Sequence, residues 1–198
     1  MLEMPTLETA RLLIRPFVKE DLHAAHRLFD IELNAEDMGA EKMTTLQERE
    51  EWLQWAALNH RQLALLNQPP YGDRAIVLRS NGVLVGSCGY VPALNAFEQV
   101  PVFDDHDPSG RPGRYSPEFA LFYAISPSYQ RQGYACEAVQ AMIDYAFDHL
   151  HVRRIIAETN FDNASSIAVM RKLGMRIGRN PLPEPPWLQV VGVLENNR

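Results

Sequence analysis

The feature that most constrains this chain is a helical period that opens directly behind a short polar loop. From Ala135 onward apolar residues fall at positions 135, 138, 139, 142, 143, 146, 147 and 150, the spacing of an amphipathic helix kept without a miss. Upstream, residues 118–126 (EFALFYAIS) are apolar and aromatic and read as a strand, which Pro127 stops because it has no N–H for a ladder. The expected order is strand, tight loop, helix. Such a loop presents unsatisfied backbone N–H groups at the positive end of a helix dipole, and that arrangement accepts an anion. Gly133, lacking a Cβ, lets a phosphate oxygen come close. The spacing is neither that of a P-loop nor that of a dinucleotide fingerprint, so a diphosphate fits the loop but the loop alone does not select it.

The rest of the chain supplies the frame. Residues 11–15 read as a strand ended by Pro16, and Leu22, Ala25, His26 and Phe29 follow at helical spacing. Thr45 and Glu48 have capping-box spacing ahead of a second helix that turns Trp52, Leu53 and Ala56 inward and ends at residues 67–70 (NQPP). Residues 75–78 and 83–85 flank Ser80-Asn81-Gly82, a hairpin signal, because Asn and Gly tolerate positive φ. Residues 93–117 combine Pro101, Pro108, Pro112, Gly110 and Gly113 with Glu98, Asp104, Asp105 and Asp107; this composition predicts a long mobile loop with little buried. A strand over 154–159, a helix capped by Asn163 and finished at Gly174, and strands over 175–178 and 188–194 complete the pattern. The expectation is one α/β (α+β) domain over 1–198, a mixed sheet of about six to seven strands flanked by about four helices.

Composition excludes several classes. With two cysteines, Cys88 and Cys136, there is neither a disulfide framework nor a multi-ligand zinc site, which predicts a reducing, cytoplasmic setting. The N-terminal sixteen residues are interrupted by charge and predict no export signal, and no apolar run approaches the ~20 residues of a membrane helix. A net charge of −6 without a basic stripe argues against nucleic acid as a partner.

Three separated segments resemble the Gcn5-related N-acetyltransferases (GNAT), and within them the ribosomal-protein N-terminal acetyltransferase-like group. Gln130-Arg131-Gln132-Gly133-Tyr134-Ala135 is similar to the family's Q/R-x-x-G-x-G/A loop. Leu7-Glu8-Thr9-Ala10-Arg11-Leu12-Leu13-Ile14-Arg15-Pro16 resembles its L-E-T-E-R-L-x-L-R opening, and Asn163-Ala164-Ser165-Ser166 with Lys172-Leu173-Gly174-Met175 resembles its N-x-x-S…K-L-G-F segment. The resemblance implies a centrally splayed sheet with acetyl-CoA between the strand ending at Ser126 and the strand over 154–159. It implies that the diphosphate rests on residues 130–135, that backbone groups of Ala124 and Ile125 pair with pantetheine, and that Asn163 holds the pantetheine arm from the other side. Arg131 then either adds charge near a phosphate or is a solvated loop cation. Residues 93–117 have no counterpart in these motifs.

The implied reaction is direct attack of a neutral amine on a thioester in a ternary complex, which needs a base, oxyanion stabilisation and a proton for the thiolate. A lysine ammonium is about 2.6 pKa units, or ~3.5 kcal/mol, harder to deprotonate than an α-amino group. Glu158, five residues before Asn163, matches a position where related enzymes carry a catalytic glutamate. Glu118, at the start of its strand, is the second candidate, acting through water, or else an exposed strand end. Ala120 stands where relatives carry an acid, and Met170 where some carry a tyrosine acid. Ser166 is the leading candidate for the acid, unless it only satisfies a cap or the thiolate leaves unaided.

Other readings are open to the same residues. Cys136, in the first helical turn, suits either an acyl-cysteine nucleophile or a packing residue. His23 with His26, and the run Asp104-Asp105-His106-Asp107, mimic metal ligands without completing a set, so no metal is expected. A non-catalytic acyl-CoA sensor is the alternative to an enzyme. The acceptor is an amine, either a protein N-terminus or a small molecule, and relatives of this group are often homodimers.

Overall fold

The computed structural model describes residues 4–33, 43–103, 105–107, 109, 111 and 113–198. Asp104, Pro108, Gly110 and Pro112 of the expected loop, and the first three residues of the N-terminal segment, lie outside the described residues. Among the described residues, eight strands follow the hydrogen-bonding order β1-β2-β3-β4-β5-β6-β8-β7, in a mixed arrangement with four α-helices. The strand beyond the expected seven is β1 (Leu7–Glu8), which is too short to carry a period of its own. The chain forms two compact units, residues 1–90 with 123–142 and residues 91–122 with 143–198.

In the first unit β1 pairs antiparallel with β2 (Leu12–Pro16), β2 with β3 (Gly72–Leu78) and β3 with β4 (Leu84–Asn95). Leu12 and Ile14 alternate inward on β2 and are fully buried. Pro16 is the last residue of β2 rather than the first beyond it, opposite Arg74, a strand end that tolerates a missing N–H. The expected hairpin forms, with Gly82 alone of the Asn-Gly pair in the left-handed region, at φ 74°. Its N–H closes the turn on the Leu78 carbonyl at 2.9 Å, and the Asn81 side chain accepts from Val83 N–H at 3.1 Å.

The first predicted helix is α1 (Leu22–His26), which runs on into a π-helical turn over Arg27–Glu32. The second is α2 (Leu46–Leu65), capped as its spacing predicts: Thr45 Oγ1 accepts from Glu48 N–H at 3.2 Å, and Glu48 Oε2 accepts from Thr45 N–H at 3.0 Å. Phe17, Ala25, Leu28, Phe29 and Leu53 pack with Ala75, Val77 and Leu84 into one core.

A charged group lies at the edge of that core. Asp30 is 4% exposed, accepts two hydrogen bonds from Arg49 at 2.9 and 2.6 Å, and meets His26 Nδ1 at 2.8 Å. The Arg49 guanidinium lies over the Phe29 and Trp52 rings. Burial pushes the Asp30 carboxyl up, but the bonds from Arg49 and His26 prevail and hold it below its ordinary value. A lowered carboxyl stabilises the fold above the unfolded-state pKa of about 3.9, and that contribution fades as pH falls through the folded value. Removing one partner of a buried pair strands the other charge, so Asp30→Asn is expected to cost about 3 kcal/mol at pH 7. Urea unfolding of both proteins at pH 7 and in acid measures it; the gap should narrow as the pH drops.

In the second unit β5 (Ser116–Ile125) and β6 (Arg154–Thr159) run parallel, with Ala120 opposite Ile156, and β6 pairs antiparallel with β8 (Val190–Glu195) from Arg154↔Glu195 to Thr159↔Val190. β7 (Arg176–Arg179) closes that edge against β8. Between β6 and β7 lies α4 (Ala164–Lys172), and Gly174 follows it at φ 81°, the left-handed position expected after a helix.

The expected loop over 93–117 is corrected at its beginning. β4 runs on to Asn95, and Ala96, Phe97, Val100, Val102 and Phe103 are buried in one core with Ala120, Ile156, Leu188, Val191 and Val193. Averaging over a stretch rich in Pro and Asp concealed these five apolar side chains. Their packing is tight: a Cβ at Gly178 of β7 would lie 2.7 Å from Val100 and Val102 side-chain atoms. Gln99, 2% exposed, donates to the Glu184 carbonyl at 2.6 Å and accepts from Gly113 N–H at 3.0 Å, which ties the later residues down as well.

Candidate active site

The loop predicted to hold an anion joins β5 to α3 (Tyr134–Asp148) in the first unit. The chain leaves β5 at Ile125 and makes a 3₁₀ turn over Pro127–Tyr129. Arg131 then takes φ 59° and Gly133 φ 84°. Left-handed residues interleaved with right-handed or extended ones turn successive amides toward one side, which makes a concave anion nest. Arg131 is a non-glycine residue in this region, at a cost of order 1–2 kcal/mol, and such strain collects where a loop conformation serves a purpose. Gln130 Nε2 donates to the Ile125 carbonyl at 3.0 Å and Gln132 Nε2 to the Ser128 carbonyl at 3.4 Å, so both glutamines brace the turn from within. No carboxylate occurs between Ser126 and Cys136. The loop therefore fits a phosphate-bearing group.

Around it, Ala124 and Ala135 are half-buried and Ile125 is buried, its carbonyl already accepting from Gln130. Six of the predicted helical positions, Ala138, Val139, Met142, Ile143, Ala146 and Phe147, are at most 4% exposed, so the period correctly located the helix behind the loop. Tyr134 begins α3, and the Arg11 guanidinium lies over its ring at 4.4 Å from the centroid. Cys136 is a half-buried free thiol; Cys88 is fully buried, and burial pushes its thiol up to about 12.

The second unit carries the other predicted residues. Glu158 lies near the end of β6, opposite Val191 of β8, and its Oε2 accepts from Asn95 Nδ2 at 3.1 Å. Asn95 is 4% exposed, and its Oδ1 accepts from Ala96 N–H at 3.1 Å, which fixes the carboxamide so that its nitrogen faces Glu158. Burial raises the Glu158 carboxyl, and the Asn95 bond partly offsets the rise. Asn163 caps α4, its side chain accepting from Ser166 N–H at 3.0 Å, so both residues sit at the same helix end.

Glu118 is not an exposed strand end. Its carboxylate is 7% exposed and accepts from Arg154 at both oxygens, at 2.7 Å from Nε and closely from Nη2, while Arg154 lies over the Phe103 ring. Among the candidate carboxylates Glu158, with an amide partner, is the one outside an ion pair. Met170 and Ala120 are core residues, 1% and 5% exposed. Asn95 escaped sequence reasoning because it lies 63 residues from its partner. Thr9 and Arg11, which bind Glu137 in the first turn of α3, carry no local sequence signal beyond the opening motif.

Residues 11–176 match the family model for the acetyltransferase (GNAT) domain, a span covering most of both units. The chain belongs to the GNAT acetyltransferase family. A Bacillus subtilis GNAT relative, the uncharacterized N-acetyltransferase YnaD, is 41% identical over 58 residues, which is 29% of this chain and 34% of that protein. The match therefore spans about a third of that relative. An acetyltransferase from Agrobacterium tumefaciens has the same fold, with TM-score 0.67 and 22% identity over 97% of this chain and 95% of the other. So does a Vibrio cholerae spermidine N-acetyltransferase solved with CoA and spermine, with TM-score 0.63 and 16% identity over 95% and 97% of the two chains. The mixed sheet and about four helices expected from the sequence are thus those of the GNAT fold, with eight strands among the described residues instead of about six to seven. No described helix is long and apolar enough to cross a membrane.

Proposed function

We propose that this GNAT chain transfers the acetyl group of acetyl-CoA to an amine by direct attack in a ternary complex. The observation that carries the reading is the nest ahead of α3, with Arg131 and Gly133 both left-handed and no acidic residue among 127–135, the first carboxylate beyond, Glu137, being paired with Arg11. Residues 130–135 bind the phosphates through their amides, Ala124 and Ile125 offer backbone groups to pantetheine, and Asn163 steadies the arm while capping α4. The thioester supplies an activated acetyl group. Glu158 takes the proton from the attacking nitrogen as the C–N bond forms, and its raised carboxyl is a stronger base for that task than an ordinary one. The C–S bond then breaks, and the thiolate takes a proton from Ser166 or water. Glu118, committed to Arg154, holds β5 against β6 instead of acting as a base.

The acceptor belongs to the amine class, and the ribosomal-protein N-terminal acetyltransferase-like motifs favour a protein N-terminus over a polyamine. An α-amine also demands less of the base, by the ~3.5 kcal/mol that separates it from a lysine-type amine. The test is calorimetric titration with acetyl-CoA, followed by thiol release against N-terminal peptides, polyamines and amino acids. Saturable binding with turnover on an amine is expected. Saturable binding with no acetylation of any amine would make the chain a sensor, and absence of binding would remove the reading altogether.

A further inference from the structure

We propose that Arg11, held by Glu137 and Thr9, is a positioning residue for coenzyme binding: it fixes the Gln132–Gly133 peptide so that the loop's amides face an anion. The inference rests on the acetyl-CoA reading of that loop and adds to it three residues from elsewhere in the chain.

Glu137, in the first turn of α3, is met from the β1–β2 turn by three donors. Thr9 Oγ1 donates to Oε1 at 2.6 Å, Arg11 N–H to the same oxygen at 2.8 Å, and Arg11 Nε to Oε2 at 2.6 Å. Burial pushes the Glu137 carboxyl up, but these bonds prevail and lower it, so the anchor is charged at neutral pH. With Nε anchored, the rest of the planar guanidinium is aimed at the loop. Nη1 donates to the Gln132 carbonyl at 2.9 Å. Nη2 lies 3.4 Å from where a Cβ of Gly133 would stand, and the plane covers the Tyr134 ring. One side chain thus bonds to Gln132, stacks on Tyr134 and borders the open side of Gly133 between them.

Peptide planarity turns this grip into a direction. In a trans peptide the C=O of one residue and the N–H of the next point opposite ways. Holding the Gln132 carbonyl toward Arg11 therefore aims the Gly133 N–H away from it. The Gly133 carbonyl in turn accepts from Glu137 N–H at 3.0 Å along the helix, which aims the Tyr134 N–H outward from the helix start. Two donors are set before any anion arrives, and preorganisation of this kind lowers the ordering cost of binding. A lysine at position 11 keeps the charge but not the fork that spans Glu137 and Gln132 together.

The full chain and its Arg11→Ala, Arg11→Lys and Thr9→Val variants, titrated with acetyl-CoA and assayed with an accepted amine, test this. Arg11→Ala is expected to weaken acetyl-CoA binding by about tenfold to a hundredfold, the scale of a lost charge-assisted hydrogen bond. KM for acetyl-CoA should rise by the same factor, with kcat at saturating coenzyme and KM for the amine nearly unchanged, a split that general loosening of the fold would not produce. Arg11→Lys should recover only part of the loss, and Thr9→Val should show a smaller one. In nitrogen-15 spectra of the coenzyme-free chain the Gly133 amide should move in Arg11→Ala while those of α2 stay in place. Unchanged affinity in Arg11→Ala, or an unmoved Gly133 resonance, overturns the proposal. If the parent chain takes up no acetyl-CoA, the coenzyme reading fails instead, and the Gly133 resonance alone decides whether Arg11 sets the loop.

Discussion

Gly133→Val should weaken acetyl-CoA binding by roughly thirtyfold, about 2 kcal/mol, while leaving the thermal midpoint nearly in place. Gly133 has φ 84°, where a β-branched residue meets its own carbonyl, and the added side chain would point toward Arg11 Nη2 at 3.4 Å. Arg131 and Gln132 are exposed and Gly133 is half-buried, so the strain is relieved by a local change of the 131–134 backbone rather than by unfolding. The nest is then lost while the helix behind it persists, anchored by Ala138, Val139 and Met142. Equilibrium titration with acetyl-CoA and a melting curve on the same sample separate the two effects. Gly133→Ala, with a smaller steric penalty, should fall between the parent and the valine variant. Full affinity in Gly133→Val would mean that this backbone does not contact the coenzyme.

Glu158→Gln should lower kcat by about 10²-fold or more, with acetyl-CoA affinity within about twofold of the parent, the size expected for loss of a general base. Glutamine is nearly isosteric and its side-chain oxygen can still accept from Asn95, so the fold around β6 should survive. The loss should be larger for polyamine or lysine acceptors than for an α-amine, because the harder proton needs the base more. The pH profile checks the assignment independently. In the proposed mechanism the base acts as its ionised carboxylate, and burial raises the pKa of Glu158, so the acid limb of the parent should lie above the ordinary carboxylate range. Asn95→Leu removes a bond to the ionised form and should move that limb to still higher pH. In Glu158→Gln this limb should vanish. An unchanged kcat in Glu158→Gln would transfer the role to another group.

Local patterns were legible in the sequence where a few neighbouring residues settle the outcome. The period behind the loop located α3, Thr45 with Glu48 located the start of α2, and Gly82 turned the hairpin. The loop's place between a strand and a helix was legible in the same way, and its left-handed glycine is Gly133 at φ 84°. What the sequence concealed is long-range. Glu118 looks like a strand end until Arg154, 36 residues on, closes on it, and Asn95 has no local reason to be read as the partner of Glu158. Thr9 and Arg11 reach Glu137 across more than 120 residues. The period likewise could not announce the π-helical turn that follows α1, because the positions that carried it, 22, 25, 26 and 29, reach only the first half of that turn.

Anyone seeking to retarget this enzyme would be tempted to prune the proline-rich stretch after β4 as a dispensable flap. Phe97, Val100, Val102 and Phe103 are interior side chains, and burying each is worth about 1.5–3 kcal/mol, so excising them would forfeit about 6–12 kcal/mol. That equals the net stability of a typical domain, so such a deletion would give an unfolded polypeptide rather than a broader specificity.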